Sequence, residues 1–527
     1  MAAIAPTALI TALAPASARV GAGDTLITVH GSNFKADSVV QWNGTALVCT
    51  FVSAKQLTAQ LPASKLATAT LAMVTVGSGN TRSNAMGFVV VAAMGKLALR
   101  VDGNRFVDAA GLPVQLRGAS ISVLESWLIQ GHDPARPWGG QPNGNTSQPP
   151  DFSAMTAKWF MNVVRLPLNE ASWLGLTCVD QGGAFGRAAG SVVRADPLSN
   201  YKTTVRAAVA AANAAGLYVI LDLHWAAPGK VCPVGPNAFA NADHSLDFWV
   251  SVAQSFKANP AVLFEAFNAP LSVGQASGAD YRTLWTGTFS PAGSFDQLYL
   301  YGTTDPKAPT SYRWNATSMQ AMVHAIRGTG ASNVILIAGQ NAAGDLSGWL
   351  SDDKSRRDTA SVHDLQSPPQ LAAVWQAYPG SYHYSTAQYL TPIHQTSPPT
   401  PGPSPAVAQR LGSVAGPVFS QVRQILDAGY PVIITEYGDQ NAVAAPPGQP
   451  LARAAPFAAQ ILQFADRPGA ANGASISYVA WSFNTNTNPS NTLLQAPPNT
   501  TAAASPGFGA YVQSHYQCRA AGALVCE

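Results

Sequence analysis

Residues Pro431-Val-Ile-Ile-Thr-Glu436 run through a wholly apolar stretch and stop abruptly on a carboxylate. A short apolar run of this kind reads as a strand buried on both faces, as in a parallel sheet. The end of such a strand is a poor place for a residue that serves only solubility, and a structural ion pair is the plain alternative to a chemical role. The same unit recurs on either side of it. Apolar runs occur at Val114–Ser120, Asn162–Pro167, Leu217–His224, Val262–Asn268, Asn333–Gly339, Leu371–Trp375 and Ile476–Trp481. Helix-like segments lie between many of them, such as Tyr201–Ala215, Ser245–Lys257 and Val418–Ala428. Eight apolar β units with intervening helices predict an α/β fold, a (β/α)8 TIM barrel, whose site lies at the C-terminal ends of the strands. The Pro-rich stretch 397–405 then falls in a long loop between strands six and seven.

Residues 1–92 follow a different period. Thr25–His30, Val39–Gly44, Leu57–Leu61 and Leu71–Val76 alternate apolar and polar residues between turn signals, which predicts a small all-β sandwich. His30-Gly-Ser-Asn-Phe34, Trp42-Asn-Gly44 and Ser83-Asn84 resemble the IPT/TIG immunoglobulin-like domain. That resemblance implies a spacer or interaction module, separable from a second domain at 97–527.

Composition narrows the partners. The 527 residues include 11% charged ones and carry a net charge of +3 without a Lys/Arg run, which disfavours nucleic acid or an anionic membrane. No run of about 18 apolar residues is long enough to span a membrane. The first residues, Met1-Ala-Ala-Ile-Ala-Pro, do not read as an intact signal peptide. A low-charge chain rich in Thr and Asn is nonetheless expected outside the cytoplasm, extracellular or periplasmic. None of the five cysteines has C-x-x-C spacing. Cys518–Cys526 and Cys178–Cys232 are the expected disulfides, with Cys49 a buried free thiol. No metal-ligand cluster or phosphate-binding glycine loop is present, and no cofactor is expected. Asp243-His244 is read as the cap of the helix that follows.

Retaining cleavage of a glycosidic bond uses two carboxyl groups about 5–5.5 Å apart, one a nucleophile and the other an acid/base. Residues 97–520 resemble glycoside hydrolase family 5, the cellulase family. The motifs are Val114-Gln-Leu-Arg-Gly118, Asn162-Val-Val-Arg-Leu-Pro-Leu-Asn-Glu170, Leu221-Asp-Leu-His-Trp-Ala-Ala-Pro-Gly229, Gly344-Asp-Leu-Ser-Gly-Trp-Leu350 and Ile434-Thr-Glu-Tyr-Gly-Asp439. The resemblance implies Glu436 as nucleophile, and Arg165 and His224 as polar groups beneath the sugar. It also implies Asn268 as the contact to the sugar 2-hydroxyl and Trp481 as the aromatic sugar platform. Arg165 on an apolar strand needs a partner, and pairing with Glu436 fits. Trp225 and Trp173 are weaker aromatic candidates.

Two positions depart from the family's pattern. At strand six Gln376 stands where His is usual, two residues before Tyr378, and His383 offers an alternative. At strand four the family's Asn-Glu-Pro reads Asn268-Ala269-Pro270, so Ala269 occupies the place of the acid/base. Glu265 lies four residues back in the strand and cannot move to its end without breaking register. The reading adopted is a monomeric retaining β-glycan hydrolase of the endo-β-1,4-glucanase type, acting on β-linked poly- or oligosaccharide and inactivated by a substitution at Ala269. A natural pseudoenzyme or glycan-binding barrel is the alternative, and an adhesion protein working through its β-sandwich is a third. β-Mannan, β-1,3-glucan and xyloglucan stay open as substrates.

Overall fold

The computed structural model describes residues 7–526 except 16, 20–21, 68–69, 80, 92–96, 127–128, 130–149, 181–186, 189, 234, 238, 271–275, 278–293, 299–310, 352–359, 379–416, 440–441, 443–449, 469–473, 485–491, 495–502 and 521–525. His383, the Pro-rich stretch 397–405 and the junction at 92–96 lie outside the described residues.

Eight parallel strands close into a barrel in chain order. They are β1 (Arg117–Ser120), β2 (Val163–Asn169), β3 (Tyr218–Trp225), β4 (Val262–Glu265), β5 (Ile335–Ala338), β6 (Leu371–Ala377), β7 (Val432–Tyr437) and β8 (Ser477–Ala480). All eight residues of β3 and all seven of β2 are buried, which is why these strands read as mostly apolar runs rather than alternating ones. The helices used below are α1 (Tyr201–Ala214), α2 (Ser245–Phe256), α3 (Met319–Gly328), α4 (Pro417–Asp427), α5 (Pro456–Asp466) and α6 (Phe508–Ala520).

Two boundaries differ from the sequence reading by three residues. Val114 belongs to a small three-stranded sheet formed by Arg100–Asp102, Arg105–Val107 and Pro113–Val114, so the barrel strand starts three residues later. β4 ends at Glu265 rather than Asn268, because the chain turns out of the ladder and the Asn268 amide bonds back to Leu223 O (3.1 Å).

The N-terminal unit holds two sheets, antiparallel except where Ser17–Arg19 runs parallel to Met86–Val91. One orders its strands as Leu9–Ala14, Thr25–Ser32, Gln56–Leu61 and Val48–Ser53. The other runs Ser17–Arg19, Met86–Val91, Thr70–Ser78, Val39–Trp42 and Thr45–Ala46, with Thr81–Arg82 paired to Thr70–Ser78. Ile27, Val29, Val40, Leu57, Val74, Val76 and Phe88 fill the space between them. The second sheet lies against α1, and Met73 and Ala85 join the barrel's own apolar core.

Cys178 and Cys232 form a disulfide joining the Thr177–Asp180 strand to the segment after β3, and Cys518 and Cys526 form the other. Cys49 is free and half-buried. Asp243 and His244 do not cap α2 with their side chains. Asp243 Oδ2 accepts from Gly229 N (2.8 Å) and His244 Nε2 meets Gly229 O (2.9 Å), so both pin the preceding loop instead.

Candidate active site

Side chains two apart on a strand share a face, so Asp222 and His224 of β3 both point into the barrel. The His224 Nδ1 lies 2.6 Å from Asp222 Oδ2. On the neighbouring strands Arg165 and Glu265 also point inward, and Asp222 and Glu265 are ladder partners. Arg165 is fully buried and sits among three carboxylates. Its Nε is 2.6 Å from Glu265, its Nη2 2.8 Å from Asp222 and its Nη1 2.7 Å from Glu436. The same Nη2 donates to Asn268 Oδ1 (2.9 Å).

One guanidinium cannot neutralise three ionised carboxylates in a dry interior. Burial pushes Asp222 up to about 7, against the pull of Arg165 and with the help of Glu436. Burial likewise pushes Glu265 up to about 7, opposed by Arg165 and reinforced by Asp222. Burial works against a charged Arg165, but the three carboxylates outweigh it and hold its proton more firmly than usual. Burial, then Arg165, lowers His224 below its ordinary value, which keeps the imidazole neutral.

Glu436 is gripped from two sides. Arg165 Nη1 donates to Oε1, and the Tyr378 hydroxyl donates to Oε2 at 2.9 Å. Thr435, the residue before it, also turns inward and donates to Glu265 Oε1 (2.8 Å). Consecutive strand residues normally face opposite ways. Here Trp375 pairs with Ile434 and Gln376 with Glu436, and this bulge in β7 lets both side chains enter the mouth.

Gln376 Nε2 donates to Asn268 Oδ1 (2.7 Å). With Arg165 and Gln376 both on that oxygen, the Asn268 amide group is turned toward His224, whose Nε2 is 3.5 Å away. The Trp481 ring lies parallel to the His224 ring, with centroids 5.5 Å apart. Ala269 follows Asn268 directly, half-buried, at the end of this cluster.

Arg165, His224, Asn268, Gln376, Tyr378, Glu436 and Trp481 thus gather at one end of the barrel. Trp225 does not. It is 6% exposed and packs with Ala171, Ala227 and the Cys178–Cys232 disulfide, so it offers no free face to a sugar. The alternation that turns His224 inward turns its neighbour outward. Trp173 is buried against Tyr201, Phe248 and Phe256. The sequence reading missed Asp222 and Thr435, and it treated Glu265 only as a failed substitute for the acid/base. The available signal was charge inside apolar strands. Arg165, Asp222 and Glu265 occur on three consecutive strands, and buried charges must be one another's partners. Among the described residues no group of three His, Cys, Asp or Glu side chains is arranged to hold a metal ion. No helix among them is long and apolar enough to cross a membrane.

A parallel barrel with polar groups and an oriented carboxylate gathered at its C-terminal mouth has the layout of a barrel enzyme. The family model described as Cellulase (glycosyl hydrolase family 5) matches residues 107–487, and the chain belongs to that family. The IPT/TIG domain model matches residues 8–90. The chain is 27% identical over 183 residues to the endoglucanase MaCel5A of Microbulbifer sp. (strain ALW1); the match spans 35% of this chain and 27% of that protein's length. It is also similar to the β-glucanase SdGluc5_26A of Saccharophagus degradans, solved in complex with cellotetraose, at 17% identity, 81% and 94% coverage and a TM-score of 0.46. The catalytic domain of Thermobifida fusca endoglucanase Cel5A gives 15% identity, 80% and 97% coverage and a TM-score of 0.41.

Proposed function

We propose that this chain is built as a secreted retaining β-glycan hydrolase of the endo-β-1,4-glucanase type, with Glu436 as nucleophile and Ala269 in place of the acid/base. The observation that carries the reading is the grip on Glu436. Two donors, Arg165 on β2 and Tyr378 just after β6, hold its carboxylate at the barrel mouth, next to Asn268, His224 and Trp481. Hydrogen bonds from Arg165 and Tyr378 fix the orientation of the carboxylate that attacks carbon.

In this scheme a Glu436 oxygen bonds to the anomeric carbon as the bond to the leaving oxygen breaks. Ala269 can neither protonate that oxygen nor activate water for the second step. General acid–base help is worth roughly 10²–10⁴-fold, so natural glycans turn over slowly. A dinitrophenyl β-cellobioside needs no protonation, because the phenolate departs with its electron pair. The glycosyl-enzyme then accumulates until azide attacks the anomeric carbon from the side of Ala269 and returns Glu436 as a free carboxylate. The expected product is a β-glycosyl azide, together with a covalent mass increment on the Glu436 peptide before azide is added. An α-azide, or no covalent species, defeats the assignment of Glu436.

Ala269 also motivates the second reading, a glycan-binding barrel without turnover. In that case Ala269→Glu leaves the chain inert on every β-glycan while cello- or manno-oligosaccharides still bind. Comparing β-glucan, β-mannan and xyloglucan in the same calorimetric series sets the substrate.

A further inference from the structure

Asn84 of the N-terminal sandwich is buried, and its side chain makes three hydrogen bonds. Its Oδ1 accepts from Ile10 N (2.6 Å), and its Nδ2 donates to Ile10 O (2.8 Å) and to Asn200 Oδ1 of the barrel (3.0 Å). Asn200 precedes the first residue of α1. Its side chain makes no cap bond within the helix, and its own Nδ2 is buried without a hydrogen-bond partner among the described residues. The Asn200 side chain is therefore held by the sandwich rather than by the helix it begins.

The next residue carries the connection to the mouth. Tyr201 is fully buried, and its hydroxyl takes a bond from Asn169 N (2.9 Å) at the end of β2 and gives one to Leu124 O (2.8 Å). Asn169 Nδ2 in turn donates to Glu125 O (2.7 Å). Leu124 and Glu125 lie in the turn Ser122–Ser126 that follows β1. That turn reaches the platform side of the site through Asn484, which takes Ser122 N (3.1 Å) and donates to Ser122 O (3.0 Å) three residues beyond Trp481. Every link from Asn84 to this turn is a hydrogen bond or a peptide bond, and each polar group along it is buried, where a lost hydrogen bond is felt in full.

We propose that Asn84 is a positioning residue for the barrel mouth, acting through Asn200 and Tyr201 on the β1 turn, so that the sandwich is a working part of the glycan site rather than a spacer. The proposal deepens the functional reading above, and rests on it only where glycan binding is read out.

Hydrogen exchange in the full chain tests the coupling without any glycan. Asn84→Ala and Asn200→Ala are each expected to speed exchange of amides 121–126 and 169 about tenfold, what one buried hydrogen bond supports. Amides 335–338 of β5 should keep their native rates. The double variant should be no faster than either single one, because both break the same link. Thr50→Ala, on the exposed edge strand of the sandwich, should change nothing. Asn200→Ala leaves the sandwich's own Asn84–Ile10 bonds intact, so it decides the matter even if Asn84→Ala loosens the whole N-terminal unit. Native exchange at 121–126 in Asn200→Ala, or additive effects in the double variant, overturns the proposal. Cellotetraose titration then adds the glycan. A weaker Kd in both variants extends the coupling to the site, and an unchanged Kd beside faster exchange restricts it to the turn and sinks the claim on glycan binding. A chain that binds no glycan at all but shows coupled exchange refutes the functional reading and leaves the Asn84 link standing.

Discussion

Ala269 sits at φ +44°, in the left-handed region where a Cβ costs about 1–2 kcal/mol. Its neighbours impose that conformation. Asn268 is tied to Leu223, Arg165 and Gln376, and Pro270 O accepts from Ala342 N (2.6 Å). Glutamate carries the same Cβ, so Ala269→Glu adds no backbone penalty. Calorimetry should find its Tm within about 2 °C of the parent, given that the backbone term is unchanged. A reducing-sugar assay should find turnover on soluble β-glucan raised by roughly 10²–10⁴-fold. The carboxylates around Arg165 make a second prediction. Asp222 and Glu265 are pushed up to about 7, so between about pH 4 and 7 the folded chain holds protons that the unfolded chain has released. Stability therefore falls as pH rises through that window, by at most about 1.4 kcal/mol per pH unit for each group. Glu265→Gln removes one of the two titrating groups and should roughly halve the slope of Tm against pH between 5 and 7. A slope of the opposite sign would mean both carboxylates stay ionised throughout.

At the scale of elements, β1 and β2 approach closely at Gly118. A Cβ on Gly118 would lie 1.9 Å from Val163 O, and Gly118 O also accepts from the Tyr516 hydroxyl of α6 (2.8 Å). Strand backbone on one side and a helix contact on the other leave no room to shift. Gly118→Ala is expected to cost about 3 kcal/mol or more, read as a fall in the midpoint of urea unfolding. Gly111→Ala, whose Cβ would meet only an Arg100 side chain at 3.6 Å but whose φ is +80°, should cost about 1 kcal/mol. Comparable losses at the two sites would mean the β1–β2 contact is softer than its geometry. The elements were legible where their apolar runs were long: β2, β3, β6 and β7 each start and end within two residues of the run read from the sequence. β1 and β4 were drawn too long, since an apolar run does not show where a ladder stops. The bulge in β7 was not legible, because a two-against-one pairing is a property of the partner strand and leaves no mark in Ile434-Thr-Glu436.

For the whole molecule, the sandwich and the barrel share packing. α1 lies on the strands Met86–Val91 and Thr70–Ser78, Met73 and Ala85 enter the barrel core, and Asn84 bonds Asn200. We propose that residues 1–92 and 97–527 are distinct folding units whose contact still stabilises the barrel. Deleting residues 1–92 should leave a soluble barrel that melts roughly 5 °C or more lower, because several kcal/mol of apolar contact and a buried hydrogen bond are lost. An unchanged Tm would restore the simpler picture of a detachable module. The amino-acid sequence by itself determined the order of eight buried strands, the sandwich before them and the carboxylate at the end of β7. Those follow from local hydrophobic period and from the expense of burying a charge, and both can be read over a few residues. Only the tertiary structure decided that Arg165 serves Asp222, Glu265 and Glu436 together, that Trp225 faces away from the mouth, and that Asn84 reaches Asn200. These depend on groups brought together from distant parts of the chain, or on which way a strand turns in the closed barrel, and no local pattern encodes either.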